Sequence, residues 1–163
     1  MAIEDLSVIL QQHPFLEGLE PRHVHTLVSC ASNQRFQTGE HLCRQGEQAD
    51  VFYLIRQGMV ALELHVPHAG VVRLETLGEG DILGWSWLVS PYLWHFDAQV
   101  VEPVRALVLD GKCLRNKSEQ DHDLGYELLK RFASLMEQRL EATRLQLLDV
   151  YGKPKEAAVR DRH

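Results

Sequence analysis

Glycine-bearing turns recur through the middle of this 163-residue chain, and they constrain its fold more than any other feature. Between residues 34 and 110 they separate short segments rich in β-branched and aromatic residues, with a turn about every 8–12 residues. Such a series of short strands predicts a small antiparallel barrel or jelly roll. Pro67 and Gly70 predict a hairpin between the second and third segments. The five segments are VFYLI, VALELHV, VVRLETL, FDAQVV and VRALVL, at 51–55, 60–66, 71–77, 96–101 and 104–109.

Helical patterns lie on both sides of this β region. Residues 1–33 carry apolar residues at helical spacing, with Pro14 ending one helix and Pro21 beginning another. Residues 111–151 return to a helical pattern, with a long helix at about 121–150, and residues 152–163 are expected to form a solvated tail. The predicted fold class is therefore mainly β with flanking helices.

The long C-terminal helix carries a regular apolar seam. Its members follow one another in alternating steps of four and three residues, which is the a/d pattern of a coiled coil. A second row, formed by Leu128, Phe132 and Leu135, can pack on the roll, so this helix has two apolar faces to bury. A two-fold homodimer is the favoured interpretation, and a single amphipathic helix lying on its own roll is the alternative. The seam residues are Leu129, Ala133, Met136, Leu140, Thr143, Leu147 and Val150.

Charge and composition exclude several classes of protein. Seventeen Lys and Arg residues against twenty-three Asp and Glu residues give a net charge of −6, without a basic face for nucleic-acid phosphates. No apolar run approaches the roughly 18 residues of a membrane span, and the N-terminus lacks the basic segment of a secretory leader. Cys30, Cys43 and Cys113 are far apart and odd in number, which argues against a disulfide framework. We therefore expect a cytoplasmic protein that binds neither DNA nor membrane directly.

Several strings of this sequence carry a family resemblance. FLEGL at 15–19, FQTGEHLCRQGEQADVFYLIRQGMV at 36–60, LGEGDILG at 77–84 and RLEATRLQLLDVYG at 139–152 resemble the cyclic nucleotide-binding domain family of the catabolite-activator type. The resemblance implies N-terminal helices, a β-roll and a long C-terminal dimerisation helix. It also implies a phosphate cassette within 78–100, where a short helix offers N–H groups to a cyclic phosphate. In transcription factors of this family a helix-turn-helix domain follows the long helix, and none is expected among the residues after Val150.

The cassette departs from the family at two diagnostic positions. Gly84 matches the cassette glycine, but Trp85 stands where a glutamate would hold the ribose hydroxyl. Phe96 stands where an arginine would pair with the phosphodiester, and the neighbouring His95 is expected to point the opposite way. Each charge-assisted hydrogen bond is worth about 1.5–3 kcal/mol, and about 1.4 kcal/mol is a tenfold change in affinity. Cyclic AMP is therefore not expected to bind in the usual pose.

Aromatic residues replace the missing polar groups. All three tryptophans of a chain that is 7% aromatic lie in this stretch. They either fill the interior of the roll themselves or stack a different ligand, such as a base or a nicotinamide ring. Asp97 is expected to be an ordinary outward strand charge. The ligand is unknown, with a nucleotide as one candidate and no metal. The predicted ligand-binding residues are Gly84, Trp85, Ser86, Trp87, Leu88, Trp94, Phe96, Asp97 and Ala98.

The sequence contains no arrangement typical of catalysis or of a metal site. No motif supplies a nucleophile, a base and an oxyanion hole together. His23 and His25 belong to different faces of a helix, and His65 and His68 lie near the hairpin without a cluster of further ligands. We therefore expect a non-catalytic protein.

Three functional hypotheses follow from these observations. The favoured one is a dimeric regulatory module that senses a small ligand. The alternative is an accessory subunit docking on a multi-subunit redox enzyme, such as a soluble NAD-reducing hydrogenase, where it handles a nicotinamide nucleotide. That alternative is implied only by a resemblance to small dimeric subunits of this kind. The third hypothesis is a remnant of a regulator that acts as a scaffold for other proteins.

Overall fold

The computed structural model describes the backbone of residues 3–161 and the side chains of residues 6–150. Within this range, two short helices precede a six-stranded antiparallel sheet, and one short and one 40-residue helix follow it, in agreement with the predicted mainly β fold class. Residues up to Gly125 form one compact unit, and residues from Tyr126 onward form another. The helices are α1 (Ile3–Gln12), α2 (Pro21–Val28), α3 (Gly111–Gln120) and α4 (His122–Asp161), with 3-10 turns at Pro14–Leu16 and Ser86–Leu88. The strands are β1 (Ala31–Phe36), β2 (His41–Cys43), β3 (Val51–Val66), β4 (Gly70–Leu77), β5 (Ile82–Leu83) and β6 (Asp97–Asp110).

Two long strands, β3 and β6, form the centre of the sheet, and every other strand pairs with one of them. They pair with each other from Val51 opposite Asp110 to Glu63 opposite Asp97. Strand β3 also pairs with β4 and β5, and β6 also pairs with β1 and β2. Val66 lies opposite Gly70, so the predicted hairpin between these segments is confirmed.

Each long strand was expected to be two shorter strands, and this expectation is wrong. Residues 51–66 form one strand and residues 97–110 another, with register shifts between Ile55 and Val60 that mark β-bulges. Gly58 and Pro103 resemble turn residues in the sequence, but they lie where the two strands approach closely. Gly58 has a φ of 97°, and a Cβ atom there would lie only 2.1 Å from the carbonyl oxygen of Pro103. Only glycine satisfies both constraints.

The interior of the roll is a continuous apolar core. It receives side chains from β2, β3, β4, β5 and β6 and from two positions outside the strands, Ala49 and Trp94. Burying each of these large aliphatic or aromatic side chains fully stabilises the folded state by roughly 1.5–3 kcal/mol. The buried members are Leu42, Cys43, Ala49, Tyr53, Ile55, Val60, Leu62, Leu77, Leu83, Trp94, Ala98, Val100, Val104 and Ala106.

The N-terminal boundary of the β region lies earlier than expected. Residues 1–33 were predicted to be helical, whereas β1 begins at Ala31. The segment ASNQRF is mostly polar and lacks the apolar alternation by which the other strands were recognised. Its strand conformation is imposed by pairing with β6, from Ala31 opposite Leu109 to Phe36 opposite Val104. The short strands β2 and β5 likewise depend on their partners.

A disulfide bond joins Cys30 to Cys113, so the argument against disulfides was wrong. The two residues are 83 positions apart in sequence, but their Cα atoms are 5.9 Å apart. The β1–β6 register brings them together, because Cys30 precedes β1 and Cys113 follows β6. Closing a loop of this length stabilises a fold by roughly 4–5 kcal/mol in the chain-entropy account. Cys43 is a buried free thiol. The cytoplasmic location stays a prediction, but the number and spacing of the cysteines no longer support it.

Helix α4 extends beyond its expected end near Val150. It continues to Asp161, so the tail predicted at 152–163 is wrong for residues 152–161, and residues 162 and 163 lie outside the described range. Residues with high helix propensity follow Gly152, among them Glu156, Ala157 and Ala158. Along the predicted seam, Leu129, Leu140, Leu147 and Val150 are each 51–63% exposed, while Leu128 and Phe132 of the second row are buried.

Candidate functional site

The segment between β5 and β6 has an irregular backbone that begins at Gly84. Gly84 follows β5 directly and has a φ of 102°, a left-handed conformation that favours glycine. A single 3-10 turn then spans Ser86–Leu88, at the place where the family resemblance implies a short helix. After a cis Ser90–Pro91 bond, Tyr92 also has a positive φ, of 58°. Of the 78–100 range in which the resemblance implies a phosphate cassette, we refer from here on to residues 84–96 alone as the cassette.

Trp94 turns into the interior of the roll. Its side chain is only 4% exposed and belongs to the core. The backbone beside it is tied to the loop at 46–49: Trp94 N–H donates to the carbonyl of Glu47 (2.9 Å), and Gly46 N–H donates to the carbonyl of Trp94 (2.8 Å). A Cβ atom on Gly84 would lie 2.5 Å from Cη2 of the indole. The missing side chain of Gly84 therefore makes room for Trp94.

Apolar side chains occupy both diagnostic positions of the cassette. Trp85 is half-buried and precedes the 3-10 turn, where its carbonyl accepts a hydrogen bond from Leu88 N–H (3.0 Å). Phe96 is half-buried immediately before β6, packs against the core, and has its ring centroid 6.0 Å from that of Trp94. His95 is exposed while Phe96 packs against the core, so the two side chains differ as expected, although neither residue belongs to β6. Neither position thus offers a charged group to a ribose or a phosphate.

The structure separates Trp87 from the other predicted pocket residues. Trp87 is fully buried, but its ring stacks on Phe52 with a centroid distance of 4.8 Å and an interplanar angle of 13°. Its Cβ lies against Gly111 at the start of α3. Phe52 is not a member of the interior core, whereas its neighbour Tyr53 is, because successive strand residues point to opposite faces. Trp87 therefore lies on the outer face of β3. Of the remaining predicted residues, Ser86 and Ala98 are buried and Leu88 is half-buried.

Asp97 corrects the expectation of an outward strand charge. It is only 8% exposed, and its Oδ1 accepts a 2.8 Å hydrogen bond from the backbone N–H of Gln45. Nε2 of His65 lies 3.6 Å from its Oδ2. The buried carboxylate of Asp97 therefore has partners on two other segments, the Gln45 N–H after β2 and His65 on β3. Burial, reinforced by the negative charge of Asp97, raises the pKa of the nearby Cys43 thiol.

Arg115 on α3 holds the cassette from outside, a role that no sequence signal revealed. Its Nη1 donates to the carbonyl of Trp87, and its Nη2 lies 3.4 Å from Oδ1 of Asp50. Its guanidinium also lies 4.1 Å above the ring centroid of Tyr92, within cation–π range. Lys112 contacts the other oxygen of Asp50, at 3.4 Å. Because Asp50 and Arg115 are 65 residues apart, only the fold brings these groups together.

The histidines provide no metal centre in the part of the chain that the structure describes, where no group of three or more His, Cys, Asp or Glu side chains is placed to hold an ion. His23 is buried and His25 is exposed on α2. His65 faces Asp97, and His68 lies in the hairpin turn with a φ of 69°.

Within the same described range, no helix combines the length and apolar character that crossing a membrane requires.

Comparison with known proteins identifies the family. A profile described as "Cyclic nucleotide-binding domain" matches residues 33–121, which is more than half of the chain. This chain belongs to the cyclic nucleotide-binding domain family. Members of the family are typically non-catalytic regulatory or sensor domains.

Several solved structures share the fold of this chain. A protein described as a cyclic nucleotide-binding protein from Geobacter metallireducens GS-15 is 26% identical, with a TM-score of 0.73 over 86% of this chain and 98% of that chain. A cyclic nucleotide-binding domain from Methylobacillus flagellatus KT is 20% identical, with a TM-score of 0.75 over 90% and 82%. The sensor domain of the transcriptional regulator DNR from Pseudomonas aeruginosa is 22% identical, with a TM-score of 0.68 over 85% and 93%.

Replacing Arg115 by alanine tests its hold on the cassette. The change removes two charge-assisted contacts and a cation–π contact, so we expect the free energy of unfolding to fall by about 1–3 kcal/mol. Amide hydrogen exchange across residues 85–93 should accelerate as well. The matched control is Lys112→Ala, because Lys112 contacts the same carboxylate from an exposed position and should cost less than about 1 kcal/mol. Equal losses of stability in the two variants, measured by urea unfolding, would contradict this role of Arg115.

Proposed function

We propose that this chain is a dimeric, non-catalytic regulatory module whose nucleotide pocket is filled by its own aromatic residues, so that cyclic AMP does not bind in the usual way. The observation that carries this proposal is the position of Trp94, buried in the roll against Gly84. Of the two interpretations of the aromatic cluster, this position favours the self-filled interior over stacking of another ligand.

Displacing Trp94 would cost considerable free energy. Truncating a buried aromatic residue to alanine costs about 3–5 kcal/mol, and a ligand that expels Trp94 faces a cost of similar size. At about 1.4 kcal/mol per decade, this weakens binding by roughly two to three and a half orders of magnitude. The absence of an arginine at position 96 removes a bidentate pairing with phosphate in addition. The two effects act in the same direction.

The exposed seam of α4 supports the homodimer. Leu129, Leu140, Leu147 and Val150 leave more than half of their surface exposed in the single chain, although large apolar residues gain most from burial. The 4–3 spacing of the complete seam matches the geometry by which two helices pack along a common seam. A second copy of the same helix presents the same stripe, which suits a two-fold contact. Ala133, Met136 and Thr143 complete the seam between these residues.

Other parts of the proposal rest on the sequence alone. We expect the net charge of −6 to disfavour direct DNA binding, and we expect a cytoplasmic location without membrane contact. The accessory-subunit alternative, in which the chain docks on a redox enzyme such as a soluble NAD-reducing hydrogenase, stays a prediction of the resemblance.

Cyclic AMP titrations of designed variants test the filled pocket. We expect the wild-type protein to give no saturable binding by calorimetry at millimolar cyclic AMP. The double variant Trp85→Glu/Phe96→Arg, which restores the family's polar pair, should still bind poorly because Trp94 remains in place. Adding Trp94→Ala to this pair should raise the affinity at least about tenfold over the double variant.

Two controls keep this experiment decisive. Trp94→Ala alone opens space without the polar pair and should bind no better than the double variant. Trp94→Leu replaces alanine in the triple variant if circular dichroism shows that the alanine version is unfolded. Micromolar binding of cyclic AMP by the wild-type protein, or equal binding by the double and triple variants, would overturn the proposal that Trp94 closes the pocket.

Leu140→Glu tests the homodimer. It places two carboxylates together on the two-fold seam, where burying unpaired like charges is unfavourable. Analytical ultracentrifugation at micromolar concentration should give twice the 18.7 kDa chain mass for the wild type and the single mass for the variant. Gln138→Glu is the control, because residue 138 is exposed on α4 outside the seam and should leave the dimer intact. A dimeric Leu140→Glu variant would exclude this seam as the interface.

A further inference from the structure

A cleft of about 370 Å³ lies in the unit that ends at Gly125, on the side of the roll where α1 ends. Its walls come from four places: the end of α1 and the 3-10 turn after it, β3, the loop between β4 and β5, and β6. This volume falls within the range of about 300–1,000 Å³ that is usual for small-molecule sites. The lining residues that matter to its chemistry are Gln12, His13, Ile55, Arg56, Glu79 and Arg105.

The floor of the cleft is held in place by one backbone carbonyl, that of Ile55. It accepts a 2.9 Å hydrogen bond from Gly80 N–H and lies 3.3 Å from Nε2 of the buried His13. Nδ1 of His13 accepts a hydrogen bond from Phe15 N–H (3.2 Å), so the ring proton belongs on Nε2 and the ring is neutral. Burial lowers the pKa of His13, in agreement with this assignment. The elements that form the cleft are thus connected before any ligand arrives.

Arginines supply the positive charge at this cleft. Arg56 donates through Nη1 to the side-chain oxygen of Asn33 (3.2 Å), and Arg105 lies opposite Arg35 in the β1–β6 register. Within residues 6–150, where side chains are described, none of these three arginines forms an ion pair with a carboxylate. Arg56 and Arg105 line the cleft, and in a chain with six more acidic than basic residues two guanidinium groups without a carboxylate partner favour an anion.

The remaining polar groups set a second requirement on the ligand. Glu79 contributes a carboxylate from the β4–β5 loop, and Gln12 contributes an amide from the end of α1. A carboxylate accepts hydrogen bonds from hydroxyl or amino groups and repels a second anion. A ligand that suits every group in the cleft therefore carries its negative charge at one end and hydrogen-bond donors at the other.

We infer that this cleft is a binding site for a small organic anion, whose phosphate or carboxylate group pairs with Arg56 and Arg105 while its hydroxyl or amino groups contact Glu79 and Gln12. The site is separate from the cassette and does not depend on whether the cassette binds a nucleotide. It nevertheless touches Gly80, four residues before Gly84, so that a ligand here contacts the loop that leads into the cassette.

An NMR titration of the full chain at constant ionic strength tests this site. The probes are glucose 6-phosphate as a hydroxylated phosphate, citrate as a hydroxylated carboxylate, and inorganic phosphate as an anion without further donors to match Glu79. We expect saturable shifts confined to Gln12, the His13 ring, Ile55–Gln57, Glu79–Gly80 and Arg105. At least one organic probe should bind more tightly than inorganic phosphate. Shifts with glucose 6-phosphate alone would assign a phosphate ligand, and shifts with citrate alone a carboxylate ligand.

Variants identify the groups that hold the anion. Arg105→Gln and Arg56→Gln should each weaken binding at least about tenfold, the effect of losing one charge-assisted contact. Arg73→Gln is the matched control, because Arg73 is an exposed arginine on β4 outside the cleft lining, and it should leave affinity unchanged. The proposal is overturned if no probe gives saturable shifts, if binding survives both cleft variants, or if inorganic phosphate binds as tightly as both organic probes.

Discussion

The cassette depends on one packing contact, that of the Trp94 indole against the backbone of Gly84. Glycine is required there twice, because its φ is left-handed and because a Cβ atom would collide with the indole. The same glycine that suits the cassette of a nucleotide-binding domain therefore accommodates a side chain of the protein itself. Backbone hydrogen bonds to the loop at 46–49 hold Trp94 in this position. In this account, the packing that stabilises the roll also closes its ligand pocket.

Trp94 packs in a core that is formed mainly by the long strands β3 and β6. They bend together where Gly58 meets Pro103, and the bend lets two strands line the interior along most of their length. Their outer faces carry different chemistry. Phe52 stacks on Trp87. Arg115 of α3 donates a hydrogen bond to the carbonyl of Trp87 and lies above the ring of Tyr92. The cassette is thus fixed from within by Trp94 and from outside by Arg115.

Local sequence patterns predicted the features that depend on near neighbours. The glycine turns indicated the roll, and Pro67 and Gly70 indicated the hairpin. Phe96, expected as the first residue of a strand, lies one residue before β6. Features set by distant residues were missed. The Cys30–Cys113 bond and the Arg115–Asp50 contact depend on the β1–β6 register and on the packing of α3, which local spacing does not encode. The three tryptophans could not be distinguished, because side-chain directions in an irregular loop follow no period. Only the structure separates Trp94 in the interior from Trp87 on the outer face.

The most direct test of this account is an NMR measurement of the nuclear Overhauser effect between the Trp94 indole and Gly84. A strong effect between the Hη2 proton of Trp94 and the α-protons of Gly84 is predicted, because the ring edge lies against that glycine. The effect should persist when cyclic AMP is added at millimolar concentration. Its absence in the free protein, or its replacement by effects between the nucleotide and the interior of the roll, would contradict the claim that Trp94 occupies the pocket.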